Sequence, residues 1–152
     1  MLQAAFSHGI SQAAHATTAL VVTGGTNSGV MRLTGKALGD SDHKVQCLGI
    51  ATWGVINGRK DLEGCHDLRK EIALERTQRN SSSGVNLEPN HTHFLLVDSG
   101  KTGEKDGQKA WGGEIAFRFA LEKARYENLP NPVRENVNSK KCLFNFVFGI
   151  FV

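Results

Sequence analysis

The sequence predicts an α/β fold in which a parallel sheet is flanked by helices. Residues 20–23 are a short apolar and mostly β-branched run, and residues 45–51 are a second apolar run. Between them, residues 29–38 carry apolar side chains at helical spacing. Strand, helix and strand in this order form a βαβ unit, so the two strands should be parallel and covered by helices.

Further elements lie on both sides of this unit. Residues 1–19 place apolar side chains on one helical face, and residues 91–98 are a third apolar strand. Residues 114–127 form a helix, which ends before a Pro-containing stretch. Residues 59–90 are polar and mixed in charge, which predicts a mobile, surface-exposed insertion.

Composition argues against several classes of function. The chain has 152 residues and a net charge of +3, and its Lys and Arg residues are scattered, so nucleic-acid binding has no electrostatic support. Cys47, Cys65 and Cys142 are far apart and odd in number, which fits reduced thiols in a cytosolic protein. No signal peptide is recognised, and the longest apolar stretch, residues 142–152, is too short to be a transmembrane helix.

A glycine-rich turn between the first strand and the next helix is the main candidate for a ligand site. Such a turn leaves backbone N–H groups bare at the positive end of a helix, where a phosphate can bind. Val30 and Met31 stand where a P-loop has Lys and Ser or Thr, which argues against a Walker-type NTPase, and the G-x-G-x-x-G pattern is absent. The alternative is a tight turn that binds nothing. The candidate residues are Thr23, Gly24, Gly25, Thr26, Asn27, Ser28 and Gly29.

Two other strand ends carry polar or aromatic groups at the edge of the sheet where ligands bind in parallel α/β folds. After the strand at 91–98, a turn supplies Gly100, Thr102 and Gly103 as candidate residues opposite the first turn. After the strand at 45–51, Trp53 either stacks on a ring of a ligand or belongs to the core.

Two pairs of histidines have spacings that a metal site could use. His8 and His15 lie seven positions apart on one side of the first helix, and His91 and His93 should point the same way along a strand. Neither pair has an evident third ligand, so structural roles are favoured over zinc, and no metal is predicted.

Four runs in order resemble one family, at residues 23–31, 48–56, 91–100 and 117–123. Together they cover roughly residues 3–127. They resemble the N-terminal cytosolic homology region of melastatin-type transient receptor potential (TRPM) cation channels. That region belongs to the SLOG superfamily of Rossmann-like nucleotide-sensing domains, so the resemblance implies a Rossmann-like, SLOG-like parallel sheet.

The resemblance also implies a domain that is incomplete at both ends. The family has a strand and a glycine-bearing loop before the helix at 1–19, and further strands and a helical solenoid after the helix at 114–127. We therefore expect a partial SLOG domain at residues 1–132 and a divergent, Phe-rich tail at 133–152, which could contain one more buried strand. The sequence is interpreted as a truncated product.

By resemblance, the chain is a non-catalytic cytosolic sensing and assembly domain of a calcium-permeable channel of the plasma membrane. Its partners would be the other subunits of a tetramer, and its ligand a nucleotide such as ADP-ribose, with no cofactor. Some members of the superfamily are phosphoribohydrolases with a Pro-Gly-Gly-x-Gly-Thr-x-x-Glu run, whereas this chain has Ser-Gly-Lys-Thr-Gly-Glu at 99–104. The alternatives are such an enzyme using Glu114 or Glu104, or a fragment without a function of its own.

Overall fold

The computed structural model describes residues 2–63, 84–128 and 149–151. Its elements are α1 (Leu2–Ala16), β1 (Leu20–Thr23), α2 (Gly29–Gly39), β2 (Cys47–Thr52), α3 (Arg59–Leu62), β3 (His93–Val97), α4 (Gly103–Asp106), α5 (Ile115–Glu127) and β4 (Gly149–Phe151). Two 3₁₀ turns, Trp53–Val55 and Gly107–Ala110, follow β2 and α4.

The sheet has the strand order β3-β2-β1-β4. β1, β2 and β3 are parallel, with Thr23 opposite Gly49 and Thr52 opposite Val97. Their carboxyl ends therefore lie at one edge of the sheet. This arrangement confirms the predicted parallel α/β fold with flanking helices.

β4 gives the tail a place in the sheet, antiparallel to β1, with Gly149 opposite Val22. The extra strand predicted in the tail is thus present at its last residues. The rest of the tail and the predicted domain boundary at residue 132 lie outside the described residues, as do Cys65 and Cys142.

Among the described residues, apolar side chains from the helices and the sheet form two clusters. The first joins α1 and α2 to β1 and β2; its buried members are Ala14, Ala19, Val21, Leu38, Val45 and Cys47. The second joins the end of β2 to the chain before β3, through buried Ala51, Ile56 and Leu87. The helical spacing of α1 and α2 thus directs their apolar faces onto the sheet.

The ends of several elements differ from the sequence prediction, and α1 and β2 are two examples. α1 ends at Ala16, and Thr18 has a positive φ of 52°, so the chain turns before β1 rather than continuing as helix. β2 begins at Cys47, two residues later than predicted. Both differences lie at element ends, where the apolar pattern extends beyond the hydrogen-bonded element.

The surface-exposed insertion predicted at residues 59–90 is wrong for its last part. Leu87 and Glu88 are buried, because this segment crosses the carboxyl edge of the sheet. It forms an antiparallel bridge between Thr26 and Leu87 and a parallel bridge between Ile56 and Val85. Residues 64–83, the middle of the predicted insertion, lie outside the described residues.

Among the described residues, no helix is both long enough and apolar enough to span a bilayer.

Candidate functional site

The glycine turn leaves the carboxyl end of β1 with a backbone that only glycine adopts readily. Gly25 has a φ of +66°, and a Cβ atom added there would lie 2.8 Å from the Cα of Gly49 on β2. Positive φ and close backbone contact are the two reasons to use glycine at such a turn. The sequence prediction of a turn between a strand and a helix is confirmed, and its glycine is required for packing.

Three N–H groups of the turn already have acceptors within the protein, contrary to the expectation of bare amides. The Gly25 N–H donates to the Thr23 hydroxyl at 2.9 Å. The Asn27 N–H donates to the Asn86 carbonyl at 2.7 Å, and the Ser28 N–H donates to the Thr26 carbonyl at 2.8 Å. The expectation is wrong for these three amides, because Gly25 and Ser28 donate to acceptors two residues earlier in the turn and Asn27 donates to a segment far away in sequence.

The first turn of α2 keeps free donors. Ser28 is the N-cap residue, but its side chain makes no capping hydrogen bond to α2 and lies 3.0 Å from the Thr26 hydroxyl. Within the described part of the chain, no acceptor bonds the N–H groups of Gly29, Val30 and Met31. Ser28 and Gly29 are exposed. An anion therefore has access to the positive end of this helix.

A buried chain of polar side chains lies directly under the turn. Thr23 Oγ1 is 2.6 Å from His91 Nε2, and His91 Nδ1 is 2.7 Å from a carboxylate oxygen of Glu88. Asn90 donates to Glu88 through its backbone N–H at 2.9 Å and through its side chain at 2.7 Å. The Glu88 carboxylate also fills the space over Gly35 of α2, where a Cβ atom would overlap it. Sequence reasoning missed Glu88, since a glutamate in a polar stretch carries no sign that it is buried.

His91 and His93 do not share a direction, so the predicted alternation along a strand is wrong for this pair. β3 begins at His93, and His91 precedes it in a turn. His91 is buried while His93 is exposed. The residues that the structure describes contain no group of three His, Cys, Asp or Glu side chains that could hold a metal ion.

Thr23, His91 and Glu88 contact one another in the order nucleophile, base and acid, as in a hydrolase triad. The Thr23 side chain, however, is fully buried, and its oxygen accepts the Gly25 N–H. A nucleophile must reach its substrate, so this hydroxyl cannot attack one from its observed position. The chain of hydrogen bonds is therefore structural.

Cys47 lies near this chain and is chemically protected. Burial, together with the negative charge of Glu88, raises the pKa of the Cys47 thiol to about 12. A thiol in this state is neutral near pH 7 and a poor nucleophile. The prediction of a reduced cysteine fits this buried free thiol.

Some polar groups of the second predicted loop, at residues 100–103, already make hydrogen bonds within the protein. The Gly100 N–H donates to Asp98 at 2.8 Å, and Gly100 has a φ of +73°. Thr102 caps α4 by accepting the Lys105 N–H at 3.3 Å. Gly103 is buried. No hydrogen bond in the described ranges joins this loop to residues 23–29; it packs instead against Gly54 after β2.

The carboxyl edge of β2 carries a polar pair that includes one of the two candidate acids. Thr52, which the sequence analysis did not single out, donates its hydroxyl hydrogen to the Glu114 carboxylate and accepts the Glu114 N–H at 3.3 Å. Gly113 lies against Ser99, so the start of α5 abuts the chain that follows β3. The other candidate, Glu104, is exposed and pairs with Arg59 at 3.1 Å. Trp53 is half-buried in the turn after β2, and its two predicted roles remain open.

Comparisons with known proteins agree with this fold. The family model described as "SLOG in TRPM" matches residues 1–138. The chain is 36% identical over 129 residues to transient receptor potential cation channel subfamily M member-like 2 of Nematostella vectensis. It is 40% identical over 120 residues to subfamily M member 7 of Rattus norvegicus, and 37% identical over 123 residues to subfamily M member 6 of Homo sapiens.

These alignments cover most of this chain and little of the relatives. They include 81%, 76% and 78% of the chain, but 8%, 6% and 6% of the three relatives, respectively. The match of the family model over almost the whole described chain nevertheless settles the family. The chain belongs to the SLOG domain family of TRPM proteins.

Proposed function

We propose that this chain is a non-catalytic cytosolic sensing and assembly domain of a TRPM-like channel, and that it binds a nucleotide such as ADP-ribose. The observation that carries the ligand proposal is the accessible first turn of α2, where Gly29, Val30 and Met31 present N–H groups without acceptors among the described residues. Backbone donors at a helix N-terminus bind phosphate without any catalytic side chain.

The candidate residues of the turn divide into two groups by exposure. Ser28 and Gly29 are exposed and Asn27 is half-buried, so these residues would contact the phosphates. Thr23 and Gly25 are buried and would support the turn from below. Thr26 is buried, Gly24 is half-buried, and the Thr26 hydroxyl contacts Ser28, so these two residues would orient the exposed ones.

The rest of the nucleotide would extend along the carboxyl edge of the sheet, where parallel α/β folds bind their ligands. Glu114 is half-buried at this edge, and its carboxylate could accept hydrogen bonds from ribose hydroxyls. The loop with Gly100, Thr102 and Gly103 adjoins the same edge and would close the far side of the site.

Assembly with other subunits is supported by apolar side chains on the surface. Trp111, Ile115, Phe117 and Phe119 are exposed at and along α5. Ile115 and Phe119 lie four positions apart and so share one side of α5, and exposed apolar surface commonly marks a protein interface. In the parent protein, these residues would contact another part of a tetrameric, calcium-permeable channel of the plasma membrane.

Isothermal titration of the full chain with ADP-ribose tests the ligand proposal, using Ser28→Asp and Ser28→Asn as a matched pair. Both replacements supply a good N-cap side chain of similar shape, so neither should destabilise α2. Only aspartate places a negative charge beside the phosphate. Because an aspartate or asparagine cap would occupy the same helix N–H group, the comparison is between the two variants, and we expect Ser28→Asp to bind at least about tenfold more weakly than Ser28→Asn.

Two results would reject nucleotide sensing and leave an assembly domain. The first is the absence of binding heat with the wild-type chain. The second is equal affinity of the aspartate and asparagine variants, which would place the phosphates elsewhere.

One alternative function has an observation in its favour. Glu114 lies beside Thr52 at the carboxyl edge, so a nucleotide phosphoribohydrolase would use Glu114 rather than the exposed Glu104. Incubation with nucleoside monophosphates separates the two proposals. Release of free base that stops in Glu114→Gln and continues in Glu104→Gln would establish the enzyme and contradict the non-catalytic proposal.

A further inference from the structure

Gly25 is held by hydrogen bonds at both of its backbone polar groups. Its N–H donates to Thr23 Oγ1 at 2.9 Å, and its carbonyl accepts the Glu88 N–H at 2.9 Å. A glycine loses more conformational freedom on folding than any other residue, so its positive φ needs restraint from outside. The two bonds provide that restraint from opposite sides of the residue.

The two partners of Gly25 are themselves joined through His91. A carboxylate oxygen only accepts, so His91 Nδ1 carries the hydrogen that Glu88 receives. In the neutral ring, Nε2 then accepts the Thr23 hydroxyl hydrogen, and the Thr23 oxygen is left to accept from Gly25. Bonds aligned donor to acceptor in this way strengthen one another in a buried site.

The result is a closed ring of hydrogen bonds, which we name the Gly25 clamp and define by Thr23, Glu88 and His91. The three residues are 0%, 1% and 5% exposed, so water cannot replace any of its bonds at low cost. Two of them come from the segment before β3, outside the βαβ unit that contains the turn. The shape of the turn is therefore set from another part of the chain.

We infer that Glu88 and His91 are positioning residues, which act through Thr23 and Gly25 to fix the glycine turn in the conformation that presents the first turn of α2. The ligand aspect of this role rests on the proposed function. The positioning itself does not depend on a ligand, because every bond of the clamp lies within the protein.

Hydrogen exchange of the Gly25 amide, followed by NMR on the full chain, tests the clamp. Thr23→Val keeps the volume of the side chain and removes the hydroxyl. Thr34→Val is the matched control, since Thr34 is equally buried and its hydroxyl donates to Val30 within its own helix at 2.9 Å. Thr23→Ser restores the hydroxyl. Amides of β2 report the stability of the whole fold.

We expect the protection of the Gly25 amide to fall about tenfold relative to the β2 amides in Thr23→Val, and to stay within about twofold in Thr34→Val and Thr23→Ser. If Thr23→Val does not fold, Glu88→Gln replaces it, and Gly25 protection should fall about threefold relative to the β2 amides. The clamp is overturned if Gly25 and β2 amides lose protection equally in these variants.

The proposed function fails by a different measurement. A wild-type chain without binding heat for ADP-ribose rejects nucleotide sensing and leaves the exchange result unchanged. A ligand that binds with equal affinity to wild type and to a variant with an unprotected Gly25 amide rejects only the link between the clamp and the ligand site.

Discussion

At the scale of single residues, burial changes what a side chain can do. Thr23, His91 and Glu88 have the contacts of a catalytic triad, yet the fully buried Thr23 hydroxyl serves only the backbone. Cys47 is equally buried and close enough to Glu88 for that carboxylate to raise its pKa. These groups stabilise one conformation of the turn rather than perform chemistry.

The raised pKa of Cys47 predicts a loss of stability in alkaline solution. Its pKa is about 12 when folded and 9.0 for the free group, so above pH 9 the unfolded chain releases a proton that the folded chain retains. The free energy of unfolding should therefore fall, by about 1.4 kcal/mol at pH 10 from this group. Urea unfolding at pH 8 and pH 10 measures it.

The control for this measurement is Cys47→Ala, with both chains carrying Cys65→Ser and Cys142→Ser. The extra loss between the two pH values should be present with Cys47 and absent with alanine. Equal losses in the two chains would show that the thiol does not retain its proton.

At the scale of elements, helix glycines have opposite roles that depend on their surroundings. Gly9 of α1 has open space where a side chain would be. Gly35 of α2 faces the Glu88 carboxylate and leaves no room for a Cβ atom. The helix α2 thus uses a weak helix-forming residue to admit a buried acid, whereas α1 has no such need.

Alanine substitution at the two helix glycines should change stability in opposite directions. Gly9→Ala should raise the free energy of unfolding by about 0.5–1 kcal/mol, because alanine restricts the unfolded chain and favours helix. Gly35→Ala should lower it by about 1–3 kcal/mol, because the new methyl group displaces Glu88. Urea unfolding of both variants measures these changes. A stabilised Gly35→Ala would show that Glu88 does not occupy the space over Gly35 of α2.

The extent to which sequence predicts these elements depends on how local their causes are. β1 was predicted to the residue, since an apolar run ending in a glycine turn is a local signal. The burial of Leu87 and Glu88 was not predicted. This burial results from pairing with residues near Thr26, about sixty positions earlier in the chain. The prediction that His91 and His93 point the same way was wrong for a related reason. His91 precedes the first residue of β3, so strand alternation does not extend to it. At the candidate site, the sequence predicted the glycine turn but not that three of its backbone N–H groups already have acceptors within the protein.

At the scale of the whole molecule, apolar surface is distributed unequally. The first cluster packs α1 and α2 against β1 and β2, whereas α5 exposes 64% of Ile115 and 68% of Phe119. β3 lies at one side of the sheet and leaves Leu95 exposed. These exposed apolar side chains are the ones that the proposed assembly would use to contact another protein.

Replacing an exposed aromatic residue of α5 should reduce self-association without unfolding the chain. We expect Phe119→Lys to lower light scattering and dye binding, and to change the free energy of unfolding by less than about 0.5 kcal/mol. Ala120→Lys adds the same charge at an exposed neighbouring position without removing an aromatic ring, and should leave both signals near wild type. A strongly destabilised Phe119→Lys would mean that this ring packs inside the protein.

The Gly25 clamp also sets an order of events during synthesis. Thr23 and His91 are separated by 68 positions, so the ribosome adds His91 roughly 3 to 14 seconds after Thr23. During that interval, Thr23 is present but the Gly25 carbonyl lacks its Glu88 donor and the Thr23 hydroxyl lacks His91. The glycine turn is thus among the last parts of its own βαβ unit to mature, and a codon change that slows translation between these positions prolongs its immature state.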